Sequence, residues 1–124
     1  MRTAMNNLLE IVWIKGQAAE MNIVVTPSQV SRELALIREQ NFESAAEYRR
    51  FLRESRYTRR DVYERVELQL LAERIQRRIM AGVRSKSEEQ QAFEEFVAEF
   101  NERWRSRTVC APEYVVEHCS NAPA

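Results

Sequence analysis

Residues 58–81 read TRRDVYERVELQLLAERIQRRIMA, a stretch in which apolar side chains recur every three or four positions. This spacing places them on one broad stripe and predicts a long amphipathic helix. Thr58, followed three residues later by Asp61, has the spacing of a capping box and marks the start of that helix. The residues of the stripe are Val62, Val66, Leu70, Leu71, Ile75 and Ile79.

Helix-start patterns recur elsewhere in the chain. Thr26 precedes Pro27 and has Gln29 three residues on, while residues 44–47 and 87–90 repeat the capping-box spacing;. Residues 3–21 are apolar on nearly every side, as in a helix surrounded by others, so we expect this helix to be central. The chain is therefore predicted to be all-α, with about five helices and with the long fourth and fifth helices packed on the first.

The helix predicted after Ser87 carries a stripe of large apolar side chains. They fall at i, i+3, i+4, i+7 and i+11, a period that requires one buried helix face. We expect this stripe to lie in the core and to close over the first helix. Its members are Phe93, Phe96, Val97, Phe100 and Trp104.

Composition excludes several classes of protein. Of 124 residues, 19 are basic and 19 acidic, so the chain lacks the net positive charge that attracts nucleic acid or an anionic membrane;. The longest apolar run, residues 11–14, is far short of the roughly 20 residues that span a bilayer;. Arginines interleaved with Tyr48, Phe51 and Tyr57 leave nucleic-acid binding as a weaker alternative.

The cysteines and the single histidine offer little chemistry. Cys110, His118 and Cys119 are too few for a zinc site of about four ligands, and a Cys–His nucleophile needs an ordered third group and an oxyanion site;. A disulfide between Cys110 and Cys119, suited to an oxidising compartment, and a pair of free thiols both remain open. We predict no catalytic residue, no metal site and no cofactor, and therefore no enzyme.

Residues 5–107 combine an order of helices with characteristic residues at 13–20, 23–26, Val30, Phe51, Leu52, Tyr57, Thr58, Asp61, Val62 and 67–73. This combination resembles the N-terminal chaperone domain of SurA/PrsA-type bacterial foldases. The end of the chain, with Tyr114, Val115 and Val116 between the two cysteines, is similar to a secreted branch of that family with a two-cysteine tail.

The resemblance implies a helical chaperone domain at residues 1–107 and a tail at 108–124 with an expected disulfide. Family members often carry a parvulin prolyl-isomerase domain before the last helix, but residues 82–86 leave five positions where roughly a hundred would be needed;. The implied function is an ATP-independent extracytoplasmic chaperone that binds unfolded or newly exported polypeptides without isomerase activity. Because family members are exported, we expect a leader or lipid anchor to be missing and the chain to be a fragment.

Client-binding side chains are sought among aromatic residues in or beside the short third helix. There are more aromatic residues here than the helix needs to pack against its neighbours, although a core role for all of them stays open. The candidates are Phe42, Tyr48, Phe51, Tyr57 and Tyr63.

Two other predictions concern partners. The alternative to a chaperone is a structural or adaptor module that docks one specific protein partner. Swapping of the last helix across the joint at Gly82 would make a homodimer.

Overall fold

The computed structural model describes residues 2–123 and confirms the all-α prediction. Within this range there are five α-helices, one short 3₁₀-helix and no strand. The α-helices are α1 (Arg2–Glu20), α2 (Pro27–Asn41), α3 (Ala45–Ser55), α4 (Arg59–Met80) and α5 (Lys86–Ser106), and the 3₁₀-helix is Pro112–Tyr114. None of the described helices is long and apolar enough to span a membrane.

The predicted caps begin three of the helices. Thr26 forms a capping box with Gln29 at the start of α2, and Thr58 forms one with Asp61 at the start of α4. Ser44 caps α3. The cap predicted for α5 is wrong by two residues, because the hydroxyl of Ser85, and not that of Ser87, accepts the backbone N–H of Glu88 at 3.1 Å.

The central element is α4, which contacts α1, α2 and α5. Its side chains Leu71 and Ile75 form a buried cluster with Ala18 and Ile23. The expectation that α1 is central is therefore corrected. The apolar residues of α1 serve several separate contacts, and its outer face leaves Leu8 and Val12 each 60% exposed.

The last turns of α5 are joined to α1 through Trp104. The indole lies against Gly16, where an added Cβ would come within 2.8 Å of Cζ3 of the ring. The indole N–H donates to Oε1 of Gln17 at 2.9 Å, and the same oxygen accepts a hydrogen bond from Arg103 at 3.1 Å. Gln17 is 4% exposed, so its oxygen satisfies two donors where little water can replace it;.

The predicted apolar stripe of α5 faces α4 and α1, but it is only partly covered. No side chain between Lys86 and Ser106 is fully buried, and Phe93 is 43% exposed. The prediction that Phe93 belongs to the core is therefore wrong. Large side chains bridge α5 and α1. The first helix therefore covers the stripe over only part of its length.

We predict that Gly16→Ala lowers the free energy of unfolding by about 1–2 kcal/mol, because the methyl group would push the Trp104 ring out of place;. Helix propensity alone predicts the opposite, a gain of about 1 kcal/mol. Urea denaturation of Gly16→Ala, Trp104→Phe and the double variant measures the coupling between the two positions. A more stable Gly16→Ala protein would contradict the close approach.

Candidate functional site

An apolar cleft lies between α4 and α5. Its volume is about 300 Å³, and Gln76 and Asn101 are the polar residues among those that line it. The lining residues are Ile14, Ala72, Ile75, Gln76, Ile79, Phe93, Phe96, Val97, Phe100 and Asn101.

Aromatic rings form the α5 wall of this cleft. Phe96 and Phe100 have centroids 5.8 Å apart, and Phe100 meets the edge of Trp13 at 6.1 Å. Trp13 is 2% exposed whereas Phe93 is 43% exposed. The wall therefore extends from solvent at Phe93 toward the buried indole of α1.

The predicted client-binding aromatics are partly brought together beside α3. Phe42 lies 5.2 Å from Tyr48 and 5.4 Å from Phe51, and Phe51 lies 6.0 Å from Tyr57, measured between ring centroids. Tyr63 is half-buried on α4 and has no ring contact of this kind among the described residues. Four of the five candidates thus form one continuous group, which we call the α3 aromatic row.

Much of the α3 aromatic row is occupied with packing. Tyr48 is 8% exposed, and the guanidinium of Arg38 lies 4.1 Å from its ring centroid. Arg65 covers Tyr57 in the same way at 4.5 Å. The first of these cation–π contacts joins α2 to α3, and the second joins α4 to the residues between α3 and α4;. Phe51, at 37% exposed, is the ring of the row that solvent reaches most readily.

The two cysteines lie at disulfide bonding distance, with Cα atoms 5.8 Å apart. Together with Val116 they are buried against Met5 and Leu9 of α1. This part of the expected C-terminal tail therefore packs on the first helix.

His118 also contacts α1. Its ring stacks on Trp13 with centroids 4.8 Å apart, and its Nε2 lies 2.8 Å from the carboxylate of Glu10. These contacts give the single histidine a packing role on α1.

Two exposed carboxylates have a lowered pKa. The side-chain amide of Asn6 donates to Glu117 at 3.0 Å, and this hydrogen bond is the main reason that the pKa of Glu117 is lowered. The pKa of Asp61 is lowered chiefly by the backbone N–H of Thr58 in the capping box. Both shifts arise from hydrogen bonds that favour the charged form.

The metal-ligating side-chain types are dispersed among residues 2–123. No three His, Cys, Asp or Glu side chains in this range converge where they could hold a metal ion. Every buried side-chain nitrogen or oxygen described by the structure has a hydrogen-bond partner.

The cleft was not singled out from the sequence because periodicity identifies an apolar helix face but not what covers it. The stripe of α5 has the same spacing whether it is buried or open. Gln17 was also missed. Its only signal is a polar residue within an otherwise apolar helix, a pattern that does not reveal the indole donor 87 positions away.

Comparisons with protein-family models, with curated proteins and with solved structures find no match. The similarity to SurA/PrsA-type foldases therefore stays a prediction from the sequence.

We predict that Asn6→Ala raises the pKa of Glu117 toward its ordinary value of 4.5. Because folding lowers this pKa, the hydrogen bond stabilises the folded protein above pH 4.5, and this stabilisation is lost as pH falls through the lowered value;. An NMR titration of the Glu117 carboxyl carbon measures this pKa in the wild-type protein and in Asn6→Ala. Asn7→Ala, an exposed neighbour on α1, is the control, and equal midpoints in all three proteins would contradict the assignment.

Proposed function

We propose that this chain is an ATP-independent chaperone module that binds apolar segments of unfolded polypeptides in the α4–α5 cleft. The observation that carries the proposal is the open aromatic wall of that cleft, with Phe93 43% exposed at its outer end. Apolar side chains that stay in contact with water in the folded state favour association with other apolar groups. The module has no isomerase activity of its own.

The lining of the cleft supports binding with little sequence preference. Aliphatic and phenyl side chains dominate, and the polar groups of the lining are the amides of Gln76 and Asn101. An unfolded chain presents apolar side chains in many sequence contexts, and their transfer from water is favourable at about 25 cal/mol per Å² without directional contacts. A site of this composition selects apolar character and not a particular residue order.

Charges on the two helices that form the cleft support the solubility of such a complex. Glu94 and Glu95 lie exposed on α5, and Arg77 lies exposed on α4. The carboxylates of Glu94 and Glu95 accept hydrogen bonds from Gln90 and Gln91, one turn earlier on α5. A bound client would therefore remain surrounded by hydrated groups of both signs.

An extracytoplasmic location is part of the proposal. A cysteine pair at bonding distance is compatible with an oxidising compartment, where disulfides persist;. The clients of such a module would be newly exported polypeptides.

The adaptor alternative differs in what it binds. A holdase binds many unfolded chains weakly, whereas an adaptor binds one folded partner tightly.

We expect the chain to suppress aggregation of two unrelated, chemically unfolded proteins at near-stoichiometric ratios, without nucleotide and at both low and moderate salt. Light scattering measures this, and no effect on either protein would favour the adaptor.

We predict that Phe93→Ser weakens this suppression, so that about five-fold more protein is needed, since a half-exposed phenyl ring contributes about 1 kcal/mol when a client covers it;. The free energy of unfolding should change by less than about 1 kcal/mol.

Leu36→Ser is the matched control, because Leu36 is an equally exposed apolar residue (46%) on α2, away from the cleft. Phe51→Ser tests the α3 aromatic row. Equal loss of suppression in Phe93→Ser and Leu36→Ser would contradict a role for the cleft.

A further inference from the structure

The segment after α5 folds back onto the first helix. We call residues 108–121 the tail clasp. It begins at Thr108, whose hydroxyl accepts the indole N–H of Trp13 at 2.8 Å and donates to the carbonyl of Trp104 at 2.6 Å. It ends near Asn121, whose side chain bonds the backbone N–H and carbonyl of Cys110 at 3.2 and 2.9 Å. The tail clasp therefore joins the first helix to the last.

The tail clasp has little regular structure of its own. It contains one 3₁₀-helix of three residues, Pro112–Tyr114. One backbone hydrogen bond, from the N–H of Ser120 to the carbonyl of Thr108 at 2.7 Å, joins its two limbs. A segment with so few backbone bonds gains little to offset its loss of conformational entropy. The disulfide and the side-chain contacts with α1 are thus the main constraints on its shape.

The tail clasp covers apolar residues of α1. Met5 and Leu9 pack against the two cysteines and Val116, and His118 stacks on Trp13. Trp13 is 2% exposed and Val116 is 1% exposed.

The neighbouring face of α1 is already open to solvent at Leu8 and Val12, each 60% exposed. Removal of the clasp would join the covered and the open residues into one apolar surface along the first three turns of the helix.

We propose that the tail clasp is a redox-controlled cover, and that reduction of the Cys110–Cys119 disulfide releases it from α1. Release uncovers Met5, Leu9 and Trp13 next to the exposed apolar residues of the same helix. This inference concerns a different surface from the α4–α5 cleft and does not depend on the proposed chaperone function.

The reductant is a dithiol. Its thiolate attacks the sulfur of Cys110, which is 8% exposed, whereas Cys119 is fully buried and leaves as a thiolate;. The second thiol of the reductant then displaces Cys110 from the mixed disulfide. Two electrons and two protons pass to the cysteines, and the dithiol becomes a disulfide.

The chain-entropy model predicts how much reduction raises the population of the open tail clasp. In the chain-entropy model, a closed loop of this length disfavours the open state by about 100-fold, so reduction should raise the open population by about that factor;. We expect this 100-fold change in the tail clasp alone. The buried cluster that contains the two cysteines includes no residue of α2, α3 or α4.

Hydrogen exchange of the full chain tests the proposal, with the oxidised protein compared with the protein in dithiothreitol and with the Cys110→Ser/Cys119→Ser variant. We expect the amides of Cys119 and Ser120 to lose protection by about 100-fold both in the reduced protein and in the double variant. The amides of Leu71 and Ile75 in α4 should keep theirs. Binding of an apolar dye should rise in the same two samples.

Unchanged protection of the Cys119 and Ser120 amides would overturn the proposal, since the clasp would then hold without its disulfide. Equal loss of protection in α4 would also overturn it, because the disulfide would then stabilise the whole domain and would not control a local cover. Loss confined to the tail without a rise in dye binding would contradict the uncovering of α1.

Discussion

The close approach of Trp104 to Gly16 is the contact on which the arrangement of the helices depends. Because residue 16 has no side chain, the indole reaches the backbone of α1 and its N–H finds the buried oxygen of Gln17. This contact holds the end of α5 beside α1 while α4 contacts both helices. A side chain at position 16 would move α5 outward and change the cleft that α5 forms with α4.

The same arrangement explains why the cleft is open. Large side chains bridge α5 to α1, so the wall formed by Phe96 and Phe100 is covered at its inner end and exposed at Phe93. Apolar surface that stays in contact with water in the folded state favours association with other apolar groups. The proposed chaperone function rests on this residual surface.

The candidate aromatics show how far residue type can predict a site. Phe42, Tyr48, Phe51 and Tyr57 are grouped as their positions around α3 suggest, because short helices and loops keep neighbours in sequence close in space. Their exposure was not predictable. Whether a ring is open depends on partners such as Arg38 and Arg65, which come from other helices.

Local rules account for the helices and most of their limits. Caps at Thr26 and Thr58 and the three- and four-residue spacing of apolar side chains act within one or two turns, so they can be identified without knowledge of the fold;. The central position of α4, the half-open stripe of α5 and the seat of His118 on Trp13 depend on contacts between residues far apart in the chain. Such contacts form only when whole helices pack, because packing selects among many apolar faces of equal hydrophobicity by shape.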